Sequence, residues 1–470
     1  MMQVLERATP ESLGIPSGAL LNVLERLGGL EYPNSIMLMR HGRVALEAWF
    51  APYEPRVPHQ IFSLSKSFTS CAVGLARAEG KLRLEDKLLS FFPEYESCVT
   101  DPKMRRVTLR DLLTMRSGHE ECSTKYMFGT QDYVRGFLSS PLERDPGTWF
   151  AYNSGGSYML ASVVRRVTGE NVREYLMPRL FEPLGIAPGP WECCPQGTNL
   201  GGWGLYLTTE DIARFAQLLL NRGVWAGKQI VPADYLAEAT VKHADTVQCE
   251  IPDWQQGYGY HFWLSRHGYR GDGASGQYAA ILPEQDMAVA VTSCMTNMER
   301  VLEILWEEVL PVLSEKPLPE DPAMQRRLRE RAAEAALPVL EGDWMHRRPA
   351  ARFRFRQNSA GIRSCEVAFD GAGCALTFAT DHGTEQLRAG FGYYETAIFR
   401  LFDEYPHRAA ACAAWLNDHV LRIHSCILDG IFRDIWTIDF DDPAEPVKHE
   451  GVCGCFRPVL PPLPVEVGEN

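Results

Sequence analysis

Residues 314–322, SEKPLPEDP, place three prolines and four charged side chains in nine positions. Proline fixes φ and removes a backbone donor, so neither a helix nor a central strand runs through such a stretch. The texture of the chain changes across it. Before it, helical and strand-like periodicities are interleaved; after it come short alternating or aromatic-rich runs separated by Gly, Asp and Asn. At 470 residues the chain also exceeds what one hydrophobic core ordinarily supports. The connector therefore predicts two domains, residues 1–315 and 341–470, with a linker helix within 316–340. That helix, QRRLRERAAEAA at 325–336, carries acids among its arginines and reads as solvated.

In the first part, SIMLMRHGRVALEAWF at 35–50 reads as two strands turned at His41-Gly42. Residues 63 to about 310 are then mainly helical, with stops at Gly80, Gly169 and Gly223. TLRDLLTMRSG and TTEDIARFAQLLLNRG each open on a threonine with an acid three residues on, the pattern of a capped helix start. Strands return in GYGYHFWLS, GASGQYAAILP and MAVAVTS, and a helix near 297–313 closes the segment. The simplest arrangement is an α+β domain: one antiparallel sheet built from both ends of the segment, helices on its faces, and a helical lobe inserted between. In the last part, runs such as SCEVAFDGAGCALTFAT and IFRDIWTIDFD predict an antiparallel sandwich or barrel whose aromatic residues fill its core.

A net charge of -13 excludes a general nucleic-acid or anionic-membrane binder, since phosphate surfaces repel such a chain. No window approaches the apolar length of a membrane span. The start, MMQVLERATPESLGIPSG, lacks the features of a secretory signal, and thirteen scattered cysteines suit a reducing compartment, so a cytoplasmic protein is expected. Cys193-Cys194 and Cys453-Gly454-Cys455 lack zinc-ligand spacing and read as incidental thiols. No metal and no cofactor is implied: Gly-x-x-x-x-Gly-Lys, His-Glu-x-x-His and Gly-x-Ser-x-Gly are all missing from the sequence.

IFSLSKSFTS, residues 61–70, sets four serines and a threonine around one lysine where a helix begins. Only Ser63 has a lysine three residues on, and residues three apart on a helix share a face, their Cβ atoms about 5–6 Å apart. A serine becomes a nucleophile when a neighbouring base takes its proton, and a lysine serves once desolvation or positive surroundings lower its pKa. A helix N-terminus disfavours an ammonium and stabilises an oxyanion. Ser-x-x-Lys alone also describes an ordinary capped helix, so its company decides. PGTWFAYNSGGSYMLASVVRRVTG puts Tyr152 at the head of another helix, as a core aromatic or a site residue. YRGDGASGQYAAILPEQDMAVAVTS carries a Gly-rich strand, against whose edge a substrate could lie.

These three elements, in this order, resemble the Ser-x-x-Lys, Tyr-x-Asn and Lys/His-Thr-Gly motifs of the serine β-lactamase and penicillin-binding-protein superfamily. RVTLRDLLTMRSGHE, GENVREYLMPRLFEPLGI and GGWGLYLTTEDIARFAQLLLNRGVWAGKQIVP are similar to landmarks of its class C-like branch, and the resemblance covers roughly residues 8–312. It implies a β-lactamase/transpeptidase-like fold for that part, while the all-β C-terminal domain is separately expected to resemble a small lipocalin-like barrel. It makes Ser63 the acylated nucleophile, Lys66 its base and Tyr152 a second proton-transfer group. The backbone N–H groups of Ser63 and Ala274 would form the oxyanion hole, and Asn153, Ser154, Trp203, Gly273 and Gln277 would contact substrate. His119 could border the cleft but reads better as a satisfied histidine.

Two departures shape the reading. The second motif is Tyr152-Asn153-Ser154, with serine where an amide is usual, and the third is Gly271-Asp272-Gly273, with no cation for a substrate carboxylate. The expectation is thus a serine hydrolase acting on a small-molecule ester or amide. A D-amino-acid peptidase or weak β-lactamase is the enzymatic alternative, and a sensor or scaffold that acylates without turnover the alternative of another class.

Overall fold

In a computed structural model of the chain, which describes residues 5–344, 348–400, 406–452 and 460–465, the predicted hairpin forms from Pro33–Arg40 and Arg43–Trp49. Its turn has positive φ at both His41 (50°) and Gly42 (72°), the mirror-image turn whose twist suits the flanking strands. The hairpin begins a six-stranded antiparallel sheet that continues through Met287–Ser293, Gln277–Leu282, Gly268–Gly273 and Trp263–Ser265. Strands from the two ends of the segment meet at its centre, Ile36 opposite Val291 and Leu38 opposite Val289.

Both faces of the sheet are covered, which is why its central strands are mostly apolar on both faces. Met37, Met39 and Ile281 enter the core beneath helices Ser65–Ala78 and Thr209–Leu220. Ile36, Leu38 and Val289, one residue out of phase, enter a second core beneath Ser17–Gly28 and Glu299–Glu308. The capping threonines do what their spacing predicts: Thr108 and Thr208 form reciprocal capping boxes with Asp111 and Asp211.

Three expectations change. GYGYHFWLS supplies only the Trp263–Ser265 strand, because His261 (φ 61°) breaks it, and Gly268–Gly273 is its neighbour in the sheet. The helix at Pro322–Ala333 is no solvated connector. It buries Leu328 in the core shared with Ser17–Gly28, and buried Gln325 donates to Glu11 at 2.7 Å. Met324, Leu328 and Ala332 make a stripe one residue wide, easily lost among arginines. The C-terminal part is a curled half-barrel of nine strands, Ala351–Arg354 at one edge and Val447–Gly451 at the other. Among the described residues no pairing closes it. Nor is it wholly antiparallel: Glu395–Phe399 takes the antiparallel place beside the first half of His407–Trp415, leaving Gly390 and Phe391 to pair in parallel with Cys412 and Ala413. Trp415, Trp436 and Phe378 fill its core.

Cys193 and Cys194 are free thiols; Cys453 and Cys455 lie outside the described residues. No helix among the described residues is long and apolar enough to cross a membrane.

Candidate active site

The segment before helix Ser65–Ala78 folds as a single 3-10 turn, Phe62–Leu64, that carries Ser63 half-exposed. Phe62 sits at φ 47°, a conformation an L residue seldom adopts, and the hydroxyl-rich sequence explains how it is held. Ser65 Oγ donates to Phe62 O at 2.6 Å, Ser67 Oγ to His261 O at 2.9 Å and Thr69 Oγ1 to Gly201 O at 2.7 Å. Ser70 Oγ donates to Tyr260 O at 2.7 Å. Ser65 thus clasps the turn, and three more of the five hydroxyls lash the helix to surrounding loops. Ser63 alone is turned to the lysine.

Lys66 Nζ lies 2.9 Å from Ser63 Oγ, 3.0 Å from Ser154 Oγ and 2.7 Å from Gly202 O, and 4.7 Å from the centre of the Tyr152 ring. The lysine is 1% exposed. Burial pulls its pKa down to about 7, against the opposing charges of Cys122 and Asp272. The Tyr152 hydroxyl is within hydrogen-bonding reach of Ser63, while burial drives its pKa well above the usual phenol value. Its ring stacks on Trp263 (5.7 Å, 17°) and meets Tyr258 edge-on (6.2 Å, 90°), so the phenol is held in an aromatic socket.

The third element lies against the Ser63 turn itself. A Cβ on Gly273 would come 2.2 Å from Ile61 O, and one on Gly271 2.3 Å from Leu64 Cδ1. The glycines therefore allow the strand to approach the helix start, not a substrate to approach the strand. Ala274, next in the chain, packs in one apolar cluster with Phe62, the residue before Ser63.

Other expected substrate contacts are redirected. Asn153 is buried and faces away from the cleft: its Oδ1 accepts from Gly155 N, Ser123 N and Ser123 Oγ at 2.8–3.0 Å, and its Nδ2 meets Ser117 Oγ at 3.2 Å. It is the helix cap, and Ser154, the first helical residue, takes the inward place beside Lys66. Gln277 is fully buried and donates to Ala274 O at 3.0 Å and Ser293 O at 2.6 Å, bracing the turn after Gly273. Gly273 itself is a packing position. Trp203 follows the carbonyl that accepts from Lys66 and stands half-buried, edge-on to exposed Phe128 at 5.8 Å. His119 is buried between Ser117 and Ser140, at 2.9 and 2.7 Å, and burial lowers its pKa to about 4.

Sequence reasoning missed two neighbours. Arg270, fully buried, holds Asp272 at 3.0 Å and lies 4.3 Å over Trp254. Burial raises the Asp272 pKa to about 6 against the pull of that guanidinium. The arginine two residues before Asp272 was the available signal, since alternate strand residues share a face. Cys122 is the other. Burial opposes ionisation of its thiol but is outweighed by hydrogen bonds from Thr124 and from the backbone N–H groups of Ser154 and Gly155, so the pKa is lowered. Nothing in CSTKY marks it.

The chain is 26% identical over 299 residues to penicillin-binding protein 4 of Amycolatopsis lactamdurans, a match spanning 55% of this chain and 77% of that protein. It is 24% identical over 213 residues to the 6-aminohexanoate-dimer hydrolase of Paenarthrobacter ureafaciens, 42% of this chain and about half (54%) of that one. The fold is shared with EstCE1, a hydrolase with promiscuous acyltransferase activity, at a TM-score of 0.51 and 16% identity over 61% of this chain and 98% of that structure. The sequence profile of the Beta-lactamase family matches residues 34–309, more than half of the chain, and the chain belongs to that family.

Proposed function

We propose that this protein is a serine hydrolase that cleaves an ester or amide of a small molecule through an acyl-enzyme on Ser63. The observation that carries the reading is the contact of 2.9 Å between Ser63 Oγ and a buried lysine whose pKa is brought to about 7. At neutral pH such a lysine is in large part an unprotonated amine, able to accept the serine proton. The raised Tyr152 pKa keeps the phenol protonated there, which divides the labour: Lys66 is the base and Tyr152 the group that passes a proton onward.

In the first half-reaction Ser63 Oγ bonds to the substrate carbonyl carbon as its proton passes to Lys66 Nζ. The oxyanion is met by the N–H groups of Ser63 and Ala274, and the bond to the leaving group breaks as that group receives the proton through Tyr152. In the second, water attacks the acyl carbon, its proton is taken by the same pair, and Ser63 Oγ leaves as the hydroxyl. Asp272, paired with Arg270, leaves the strand beside Ser63 without a free cation for a substrate carboxylate. Neutral esters and amides therefore suit the site better than β-lactams. The relatives named above support hydrolysis as the reaction class.

A fluorophosphonate probe tests the reading: Ser63 should be labelled, and Ser63→Ala should not. Short-chain p-nitrophenyl esters should show turnover, with the acyl adduct decaying within the turnover time. A native adduct that persists for hours would favour an acyl-trapping sensor, and labelling at Ser65 or Ser67 would sink the choice of nucleophile.

A further inference from the structure

The half-barrel reaches the nucleophile turn through the loop between its Val420–Ile427 and Arg433–Asp439 strands. Asp429 O accepts from Gln60 N at 2.9 Å, three residues before Ser63. Ile431 O accepts from the Cys294 thiol at 2.6 Å, at the end of the central Met287–Ser293 strand. Arg433 then anchors the far side: its guanidinium lies 4.1 Å over Tyr32 and donates to Asn34 Oδ1 and the Tyr53 hydroxyl, both at 3.1 Å. A loop tied to buried partners at three points is a fixed wall.

Between these anchors stands Phe432, partly exposed, its ring perpendicular to that of Phe62 at 6.4 Å and in the same apolar cluster as Ala274. Phe62 precedes the nucleophile, and Ala274 carries the second N–H of the oxyanion pair. Phe432 therefore packs on the residue before Ser63 and in one cluster with the residue after Gly273, the two neighbours of the expected oxyanion position. Arg433 covers Tyr32 and is engaged by Asn34 and Tyr53; the side chains of Phe62, Cys294, Ile431, Ala274 and Phe432 are apolar, a lining that suits an aliphatic or aromatic group.

We propose that Phe432, contributed by the C-terminal half-barrel, walls the acyl side of the substrate site and selects apolar acyl groups larger than acetyl. The proposal rests on the acyl-enzyme reading of Ser63. The full-length native protein, Phe432→Ala and Phe432→Leu are compared by kcat/KM for p-nitrophenyl acetate and octanoate, by labelling rates with ethyl and octyl fluorophosphonates, and by Tm. Phe432→Ala should lower the octanoate-to-acetate ratio, and the octyl-to-ethyl labelling ratio, by about tenfold or more, the discrimination one apolar contact can supply. Phe432→Leu should restore most of it; the two ratios carry the test, because Phe432 also packs on the Phe62 ring and its loss can lower every absolute rate together. Unchanged ratios, even with a lowered Tm, would make Phe432 a packing residue only and overturn the proposal. Selective labelling of a native protein that turns over neither ester would keep the wall and refute turnover. A native protein unlabelled at Ser63 would refute both.

Discussion

If Lys66 is the base, acylation of Ser63 must follow the lysine's titration. With a pKa of about 7, roughly one lysine in eleven is unprotonated at pH 6 and ten in eleven at pH 8. The second-order rate of fluorophosphonate labelling, corrected for the probe's own hydrolysis, should thus rise about tenfold between pH 6 and 8 and then level. An ordinary lysine, near 10.4, would instead give about a tenfold rise for every unit through pH 9. Asp272, near 6, titrates on the same limb, and its carboxylate raises the lysine's pKa, so the limb belongs to the pair. Asp272→Asn removes that negative charge and should move the midpoint to lower pH, lifting the rate at pH 6 relative to the plateau. It also leaves buried Arg270 unpaired, so the rate is read where thermal unfolding shows the variant folded. A native rate still climbing tenfold per unit above pH 8, or flat from pH 6, would refute Lys66 as the base. A midpoint moving upward in Asp272→Asn would refute the coupling.

Tyr152→Phe keeps the ring in its socket while removing the hydroxyl, and should slow both acylation and deacylation by about 10²–10⁴-fold; stopped-flow kinetics with intact-mass detection of acyl-Ser63 separates the two steps. Stability should carry the mark of Lys66 as well. Its folded pKa lies below the unfolded value, so the unfolded chain binds the extra proton between about pH 7 and 10.4, and native stability gains about 1.4 kcal/mol per pH unit across that window from this group. Lys66→Met lacks that gain, and urea unfolding at pH 7 and 9 should show its stability falling relative to native as pH rises; parallel pH dependences would count against the depressed pKa. Gly273→Ala should cost about 1–3 kcal/mol and most of the labelling at Ser63, because its Cβ meets the fixed carbonyl of Ile61. Gly271→Ala, which meets side chains, Leu64 Cδ1 at 2.3 Å and Ser67 Oγ at 2.7 Å, and no backbone carbonyl, should cost less in chemical unfolding and retain more labelling.

What was legible in the sequence was what local spacing determines. Ser63 and Lys66 are one helical turn apart, and the capping threonines and the His41-Gly42 turn declare themselves within four residues. Asn153 and Ser154 were harder because a helix that starts one position later exchanges which side chain caps and which faces inward. Gln277 looked like a substrate contact because its partners, Ala274 O and Ser293 O, become neighbours only when two strands pair. Asp272 read as a missing cation, although its arginine sits two residues before it on the same face. The open edge of the half-barrel and the docking of the 325–336 helix depend on contacts between elements far apart in the chain, which no window reports.

The strained turn joins these scales. A residue such as Phe62 at positive φ costs on the order of 1–3 kcal/mol and persists only where its surroundings over-determine it. Locally, Ser65 Oγ holds Phe62 O; from the sheet, Gly273 backs onto Ile61 O. From the second domain, Asp429 O takes Gln60 N and Phe432 closes on the Phe62 ring. The half-barrel is therefore part of what presents Ser63. Loosening its loop should slow fluorophosphonate labelling of Ser63 before it unfolds the domain that carries this serine, because the turn is braced there by residues whose sequence positions lie hundreds of residues away.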